Sequence, residues 1–301
     1  MAVRAVVVGS LVMDLAFNVA VRPGPGDVVI ASDFARFRGG KGYNHAVALA
    51  RMGAEVCMIG AVGRDPYGDA FLAALEHENV DATRVVQLRG TPTAVAVPLI
   101  TPDGAVGYVQ YPGANRLLAA AHCADLPDCD VLMLQGEVSA ATSCHAARII
   151  RRRGGKVLLN PAPAEELTDT LLDVATVISL NRYEARRLLK VGPNIEGVEL
   201  ARQLRHDGCA AVVTLGTDGA TWADEQSEGM APPPGVDAID ATAAGASFNA
   251  ALAISIAEGV DLEDAVRLAN AAGAYSSTVT GAEPSLPTRA QAEALLVPAS
   301  A

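Results

Sequence analysis

Residues 175–190 read ATVISLNRYEARRLLK. The first six, ATVISL, form a mostly apolar run of strand length without polar alternation, as in a strand buried on both faces. Asn181 then precedes a helical pattern over 183–190. Asn is a favoured helix N-cap, and Glu184, three residues on, completes the spacing of a capping box. A buried strand running straight into a capped helix is half of a βαβ unit.

The same unit recurs outward in both directions. Further strand candidates are VRAVVVG (3–9), EVCMIG (55–60), VLMLQ (131–135), KVLLN (156–160) and AAVVTL (210–215). Helical patterns occupy 43–52, 69–79, 140–152 and 197–206. Alternation of this kind implies right-handed crossovers and an α/β fold built on a doubly wound, mostly parallel sheet flanked by helices. The last third is helical, over 247–258, 262–279 and 288–296, with the loop VTGAEPSLP (279–287) before the final helix. Two regions, about 11–38 and 91–112, break the rhythm. The first holds Pro23, Gly24, Pro25 and Gly26 between extended flanks. The second reads as two strands about a turn at Pro102-Asp103-Gly104. They are expected to pair as a small antiparallel sheet, a β lid on one domain spanning 1–301.

The bulk numbers limit the function. The chain has 301 residues, 50% of them hydrophobic, enough for a substantial core. Its formal net charge of −11 disfavours a nucleic acid partner. The five cysteines, Cys57, Cys123, Cys129, Cys144 and Cys209, contain no CxxC pair, which fits reduced thiols. Met1 leads directly into a strand rather than a signal peptide, and no apolar run approaches the ~20 residues that cross a bilayer. A cytoplasmic protein without membrane partners is expected.

Several stretches look built for a ligand. RGGKGYNHA (38–46) places three glycines and a lysine before a helix, where backbone N–H groups can meet an anion, but it is not a Walker A loop. NRYE (181–184) is either a cap alone or a carboxylate beside a phosphate-bound Mg²⁺. TLGTDGA (214–220) ends a strand in a glycine turn, either a plain hairpin or a loop at the ligand-binding strand ends. DATAAGASFNAAL (240–252) runs from a polar segment into an apolar helix, again an anion site. The five histidines show no metal-ligand spacing and are read as structural or surface residues. No GxSxG elbow supports a hydrolase.

In this order the segments GGKGYNHA, LLNPAPA (158–164), NRYE, TLGTDG, DATAAGASFN and GAEPS (281–285) resemble the signatures of the ribokinase-like, PfkB-type sugar kinase family, and within it the ribokinase branch. The resemblance spans about residues 5–296. It implies transfer of the γ-phosphoryl of ATP to the hydroxymethyl group of a pentose such as D-ribose. It places Asp14, Gly40, Lys41, Asn44 and Glu137 on the sugar, and Ala243, Ala244 and Gly245 as an anion hole. Asn181 and Glu184 would organise Mg²⁺ and phosphate, Glu184 through water. Thr214, Gly216, Asp218, Gly219 and Asn270 would line the nucleotide pocket. Asp240, Thr242, Gly281 and Ser285 would surround a monovalent cation, usually K⁺. The lid often mediates dimerisation in this family. A homodimer is therefore expected here, with Ala94, Val95, Val97 and Leu99 offered to a partner.

One position departs sharply. Where the family signature has the aspartate that serves as catalytic base, this chain has Ala246. Loss of a general base typically costs on the order of 10²–10⁴ in rate, so an inactive or very slow enzyme is expected. Three explanations stand open: deliberate replacement of a single residue, a natural non-catalytic binder of sugar or nucleotide, or another acid that reaches the site. Tyr43 and His45 also depart from the small residue and glutamine usual in ribokinases. An aromatic at Tyr43 would narrow the sugar pocket or stack on a base, which keeps a nucleoside kinase as the alternative enzyme.

Overall fold

The structure, a computed structural model, describes residues 2–162 and 168–296. Pro163 and Ala164, which close the LLNPAPA segment, lie outside the described residues. The strands are β1 (Arg4–Val8), β2 (Val12–Asn18), β3 (Asp33–Gly39), β4 (Glu55–Gly63), β5 (Asp81–Leu88), β6 (Ala94–Ile100), β7 (Val106–Tyr111), β8 (Val131–Gln135), β9 (Lys156–Asn160), β10 (Val177–Asn181), β11 (Ala210–Thr214), β12 (Ala220–Ala223) and β13 (Glu228–Ala231). The helices are α1 (Lys41–Arg51), α2 (Pro66–His77), α3 (Ala140–Arg152), α4 (Asp169–Leu172), α5 (Arg182–Leu189), α6 (Val198–Leu204), α7 (Ala244–Glu258), α8 (Leu262–Ser277), α9 (Ala282–Ser285) and α10 (Arg289–Ala294).

The main sheet has nine strands in the order β13-β12-β11-β10-β9-β8-β1-β4-β5. All pairs from β11 to β5 are parallel, and β12 and β13 add an antiparallel edge. Strand faces alternate between two cores, which explains the unbroken apolar runs. Val7, Met58, Met133 and Val212 pack with α1, α2, α7 and α8 on one face. Val8, Ile59, Leu134 and Val213 pack with α3, α5 and α6 on the other.

The capping signals in the sequence form as written. The Asn181 side chain accepts from the Tyr183 and Glu184 amides, each at 2.9 Å, and the Glu184 carboxylate accepts from the Asn181 amide at 2.9 Å. The strand candidates at 131–135 and 156–160 are recovered residue for residue, as is the helix at 140–152. Three strands escaped the sequence reading. β5 is an edge strand whose Asp81, Thr83 and Arg84 mask its apolar side, and β12 and β13 have four residues each, too few for periodicity to register.

The two irregular regions do form one small sheet, in the order β3-β2-β6-β7, but it is mixed rather than antiparallel. Each region is a hairpin, β2–β3 and β6–β7. Both hairpins are entered from parallel strands of the main sheet, β1 and β5, so their first strands run the same way. The central pair β2–β6 is therefore parallel. Ala94 is not available to a partner as expected. It is fully buried in a cluster with Val12 and Ala96, opposite Val12 in the register. Val95, Val97 and Leu99 are half-buried, and the more exposed apolar surface of the sheet lies on Phe34, Val106, Tyr108, Val109 and Tyr111.

After β11 the chain turns tightly into β12, so the hairpin reading of TLGTDGA holds. Gly219 makes this turn with φ 89°, and a Cβ there would collide with the Ala231 carbonyl oxygen. Gly219→Ala is expected to lower the unfolding free energy in urea by about 1–3 kcal/mol. An unchanged midpoint would show that the turn relaxes freely.

Candidate active site

Successive crossovers from β1 carry the chain to β4 and β5 on one side and to β8 through β11 on the other, so the order reverses between β1 and β8. In an open α/β sheet a ligand crevice forms at the carboxyl ends of the strands at such a point. Ser10 follows β1 and Glu137 follows β8. The Ser10 hydroxyl donates a short hydrogen bond to Glu137 Oε2, which also accepts from the Lys41 amide at 2.9 Å. A carboxylate thus sits on the first amide of α1, where the helix dipole favours negative charge. Gly42 permits the close approach, because a Cβ there would strike the Ser10 backbone. Asp14 lies nearby on β2. Burial, and then the negative charge of Glu137, push its pKa up to about 7.

Beside this anchor lies a cavity of about 200 Å³ between the helix pair α1 and α7 and the ends of β9, β10 and β11. Lys41, Asn44 and His45 line it from α1, Asn160, Asn181 and Thr214 from the strand ends, Glu184 from the first turn of α5, and Ala243, Gly245, Ala246 and Asn249 from the start of α7. Several buried polar atoms here have no partner among the described residues: Asn44 Oδ1, His45 Nδ1 and Asn249 Oδ1. Buried polar groups are normally hydrogen-bonded, so each calls for a ligand or water. Helix α7 adds donors. It has no side-chain cap, and its N-cap Ala243 is held in the left-handed region at φ 63°. The Ala244 amide donates to the Ala241 carbonyl at 3.2 Å. The amides of Gly245 and Ala246 have no partner among the described residues, as expected for the open end of a helix. A wider hollow of about 410 Å³ at the opposite end of the sheet carries no such open groups. Its charges already pair, Arg4 with Asp130 at 2.8 Å and Arg153 with Asp128 at 3.3 Å.

A second cluster lies just before α7. Asp240 accepts from the Thr242 and Gly281 amides, both at 2.8 Å, and the Ser285 hydroxyl donates to the Thr242 carbonyl at 3.3 Å. Burial raises the Asp240 pKa, but the hydrogen bonds from Gly281 and Thr242 outweigh it and hold the carboxyl below its ordinary value. The 281–286 turn is clamped from two sides. Arg38 on β3 forks onto the Glu283 carboxylate at 2.8 and 2.9 Å, and Arg51 on α1 donates to the Glu283 and Leu286 carbonyls at 2.7 and 3.0 Å.

Comparison with known proteins decides what this arrangement belongs to. Residues 3–289 match the pfkB family of carbohydrate kinases. The chain belongs to that family. It is 33% identical to a ribokinase of Bacillus subtilis over 294 residues, covering 96% of this chain and 98% of that protein. A ribokinase of Thermotoga maritima superposes with a TM-score of 0.86 at 29% identity, covering 98% of this chain and 99% of that one. A ribokinase of Arabidopsis thaliana, complexed with ribose and ATP, superposes with a TM-score of 0.87 at 25% identity over the same shares.

In this carbohydrate kinase the expected site residues fall into four groups. Lys41, Asn44, Asn181, Glu184, Thr214, Ala243, Gly245 and Ala246 meet around the cavity. Glu137 and Asp14 lie at the switch point beside Gly40, the N-cap of α1. Asp240, Thr242, Gly281 and Ser285 form the hydrogen-bonded cluster. Gly216, Asp218 and Gly219 form the turn after β11, where Arg182 pairs with Asp218 at 2.5 Å. Ala244 and Asn270 do not line the cavity: the Ala244 amide is taken by the Ala241 carbonyl, and the Asn270 amide donates to the Ala231 carbonyl at 2.9 Å and ties α8 to β13.

Tyr43 also departs from expectation. It neither narrows the cavity nor offers a stacking face. The side chain is fully buried, with its ring edge-on to Phe71 at 5.1 Å and its hydroxyl donating to Glu283 Oε2 at 2.8 Å. Residue 43 points to the helix–sheet core, not to the face of α1 that carries Lys41, Asn44 and His45. Sequence reasoning missed Ser10, Arg38 and Glu283, whose pairing spans large sequence distances and leaves no local signal. It also set His45 aside as structural or surface.

Two expectations follow. The folded chain holds the Asp14 proton up to about pH 7, against 3.8 in the unfolded chain. The folded state therefore binds more protons across this window, and stability falls as pH rises through it. Asp14→Asn should raise the unfolding free energy at pH 8 by about 1 kcal/mol or more and change it little at pH 4; an equal effect at both pH values would refute the assignment. Tyr43→Phe removes a buried hydrogen bond to a carboxylate and should cost about 1–3 kcal/mol in urea denaturation. A neutral outcome would mean that Arg38 alone satisfies Glu283.

Proposed function

We propose that the chain is an ATP-dependent sugar kinase of ribokinase type, acting on the hydroxymethyl group of a pentose such as D-ribose and slowed by Ala246. The observation that carries this reading is the open first turn of α7, with unpaired amides beside unpaired buried polar side chains in one cavity. Preorganised amides at a helix start stabilise charge on a transferred phosphoryl group. Asp14, Lys41, Asn44 and Glu137 supply acceptors and donors for vicinal hydroxyls on the α1 side. Asn181, Glu184, Thr214 and the 216–219 turn supply the nucleotide side. Transfer between such groups needs positioning and charge stabilisation more than covalent chemistry.

The donor sets suit two cations. Glu184 at the cavity wall offers a carboxylate to Mg²⁺ through water, and Mg²⁺ would neutralise phosphate charge there. Asp240, Thr242, Gly281 and Ser285 offer carboxylate, carbonyl and hydroxyl oxygens, the hard ligands that K⁺ takes. The small mixed sheet is read as the lid. Asp14 supports this, since β2 of that sheet carries it beside Glu137 on the sugar side. The exposed Val106, Val109 and Tyr111 make the same sheet the surface for a homodimer. Five buried, unpaired cysteines fit a cytoplasmic setting.

A nucleoside kinase loses its main support, because Tyr43 is buried away from the cavity. A non-catalytic binder of sugar or nucleotide keeps the support of Ala246. ADP formation with D-ribose, ATP, Mg²⁺ and K⁺ separates the two. Ala246→Asp should raise ribose-dependent turnover at least about a hundredfold over the chain as it stands. Silence in both forms, with ribose still raising the melting temperature, would make the protein a binder. Silence without binding would overturn the substrate.

A further inference from the structure

His45 is the one buried titratable group of the cavity that the reading above leaves without a task. It is 1% exposed, its Nδ1 has no partner among the described residues, and it lines the same cavity as Ala246. On α1, Lys41, Asn44 and His45 follow the i, i+3, i+4 spacing of one helix face; on α7, Ala246 and Asn249 do the same. The two faces oppose each other across the cavity.

Transfer of a phosphoryl group to a hydroxyl releases a proton that some group must take. The side chains lining the cavity, which do not include Asp14 or Glu137, offer few candidates. Asn44, Asn160, Asn181 and Asn249 are amides without a basic atom. Lys41 is a cation. The Glu184 carboxylate stands in the first turn of α5 and already accepts from the Asn181 amide at 2.9 Å. His45 is a neutral imidazole: burial, and then the charge of Lys41, lower its pKa to about 3. It lies on the α1 wall, whose first amide touches Glu137, and so on the sugar side.

We infer that His45 is a catalytic residue of this chain, the acceptor of the hydroxyl proton in a site that lacks a carboxylate at position 246. The inference rests on the kinase reading. As the sugar oxygen bonds to the γ-phosphorus, the bond from that phosphorus to the bridging oxygen breaks, and ADP leaves with the electron pair. The hydroxyl proton passes to the neutral imidazole, giving an imidazolium that returns it to water. Imidazolium beside Lys41 in a buried site is unfavourable, so turnover is slow but present.

The test uses the full chain in four forms: as it stands, His45→Gln, Ala246→Asp and the double variant, with ADP formation under saturating ribose and ATP. His45→Gln should cut turnover of the chain as it stands at least about tenfold, while ribose still raises the melting temperature. In the Ala246→Asp background the loss should be about tenfold smaller, since the carboxylate takes the proton there. His45→Asn is the companion variant, because it keeps a hydrogen-bonding atom near the place of Nδ1 without its basicity, and it should lose activity equally. Equal losses in both backgrounds, or full activity in His45→Asn, would overturn the inference in favour of a packing or hydrogen-bonding role. So would a chain with no turnover as it stands whose Ala246→Asp form is active; the kinase reading would then survive alone. If the Ala246→Asp form is silent too, both readings fall.

Discussion

The Glu137 carboxylate holds together the part of the molecule on which the rest depends. It follows β8, the first strand on one side of the reversal in strand order, and it accepts from Ser10 at the end of β1 and from the first amide of α1. A parallel sheet delivers every strand end to one edge but leaves a gap where the order reverses. Glu137 ties the two sides of that gap and sets the start of α1 over it. With α1 fixed there, its Lys41–His45 face is opposed to α7, and the cavity closes between them. A protonated or displaced carboxylate at this point would loosen a strand pair, a helix and a binding wall together.

Much of this was legible in sequence because the governing interactions are local. ATVISL followed by Asn181 and Glu184 specifies strand, cap and helix within ten residues, and the structure forms it as written. Family signatures placed the remaining site segments, since each is a short stretch whose residues act together. The failures have equally physical causes. The parallel pairing of β2 with β6 depends on where two hairpins enter a sheet, which no local pattern records. The Arg38–Glu283 pair joins residues 245 positions apart. Tyr43 read as a pocket aromatic because its position in a glycine-rich motif outweighed its place on the helix, whereas the helical period turns it into the core beside Phe71.

The proposed reading separates two things often treated as one. In it, binding and charge stabilisation rest on the open α7 amides, the Ala243 cap and the polar side chains without partners among the described residues, which are backbone and packing properties of many residues. Proton acceptance, by contrast, would belong to one side chain and be lost or moved by one substitution. On that reading, affinity for ligand and turnover are set separately.

The clamp on the 281–286 turn has a mechanical consequence. Arg38 lies on β3, an outer strand of the small sheet, and its fork onto Glu283 pins that strand to the main body. The fork therefore anchors the β3 margin of the small sheet to the 281–286 turn, while the exposed Tyr108, Val109 and Tyr111 lie on the opposite margin, β7. Losing the fork would release that margin and the turn together.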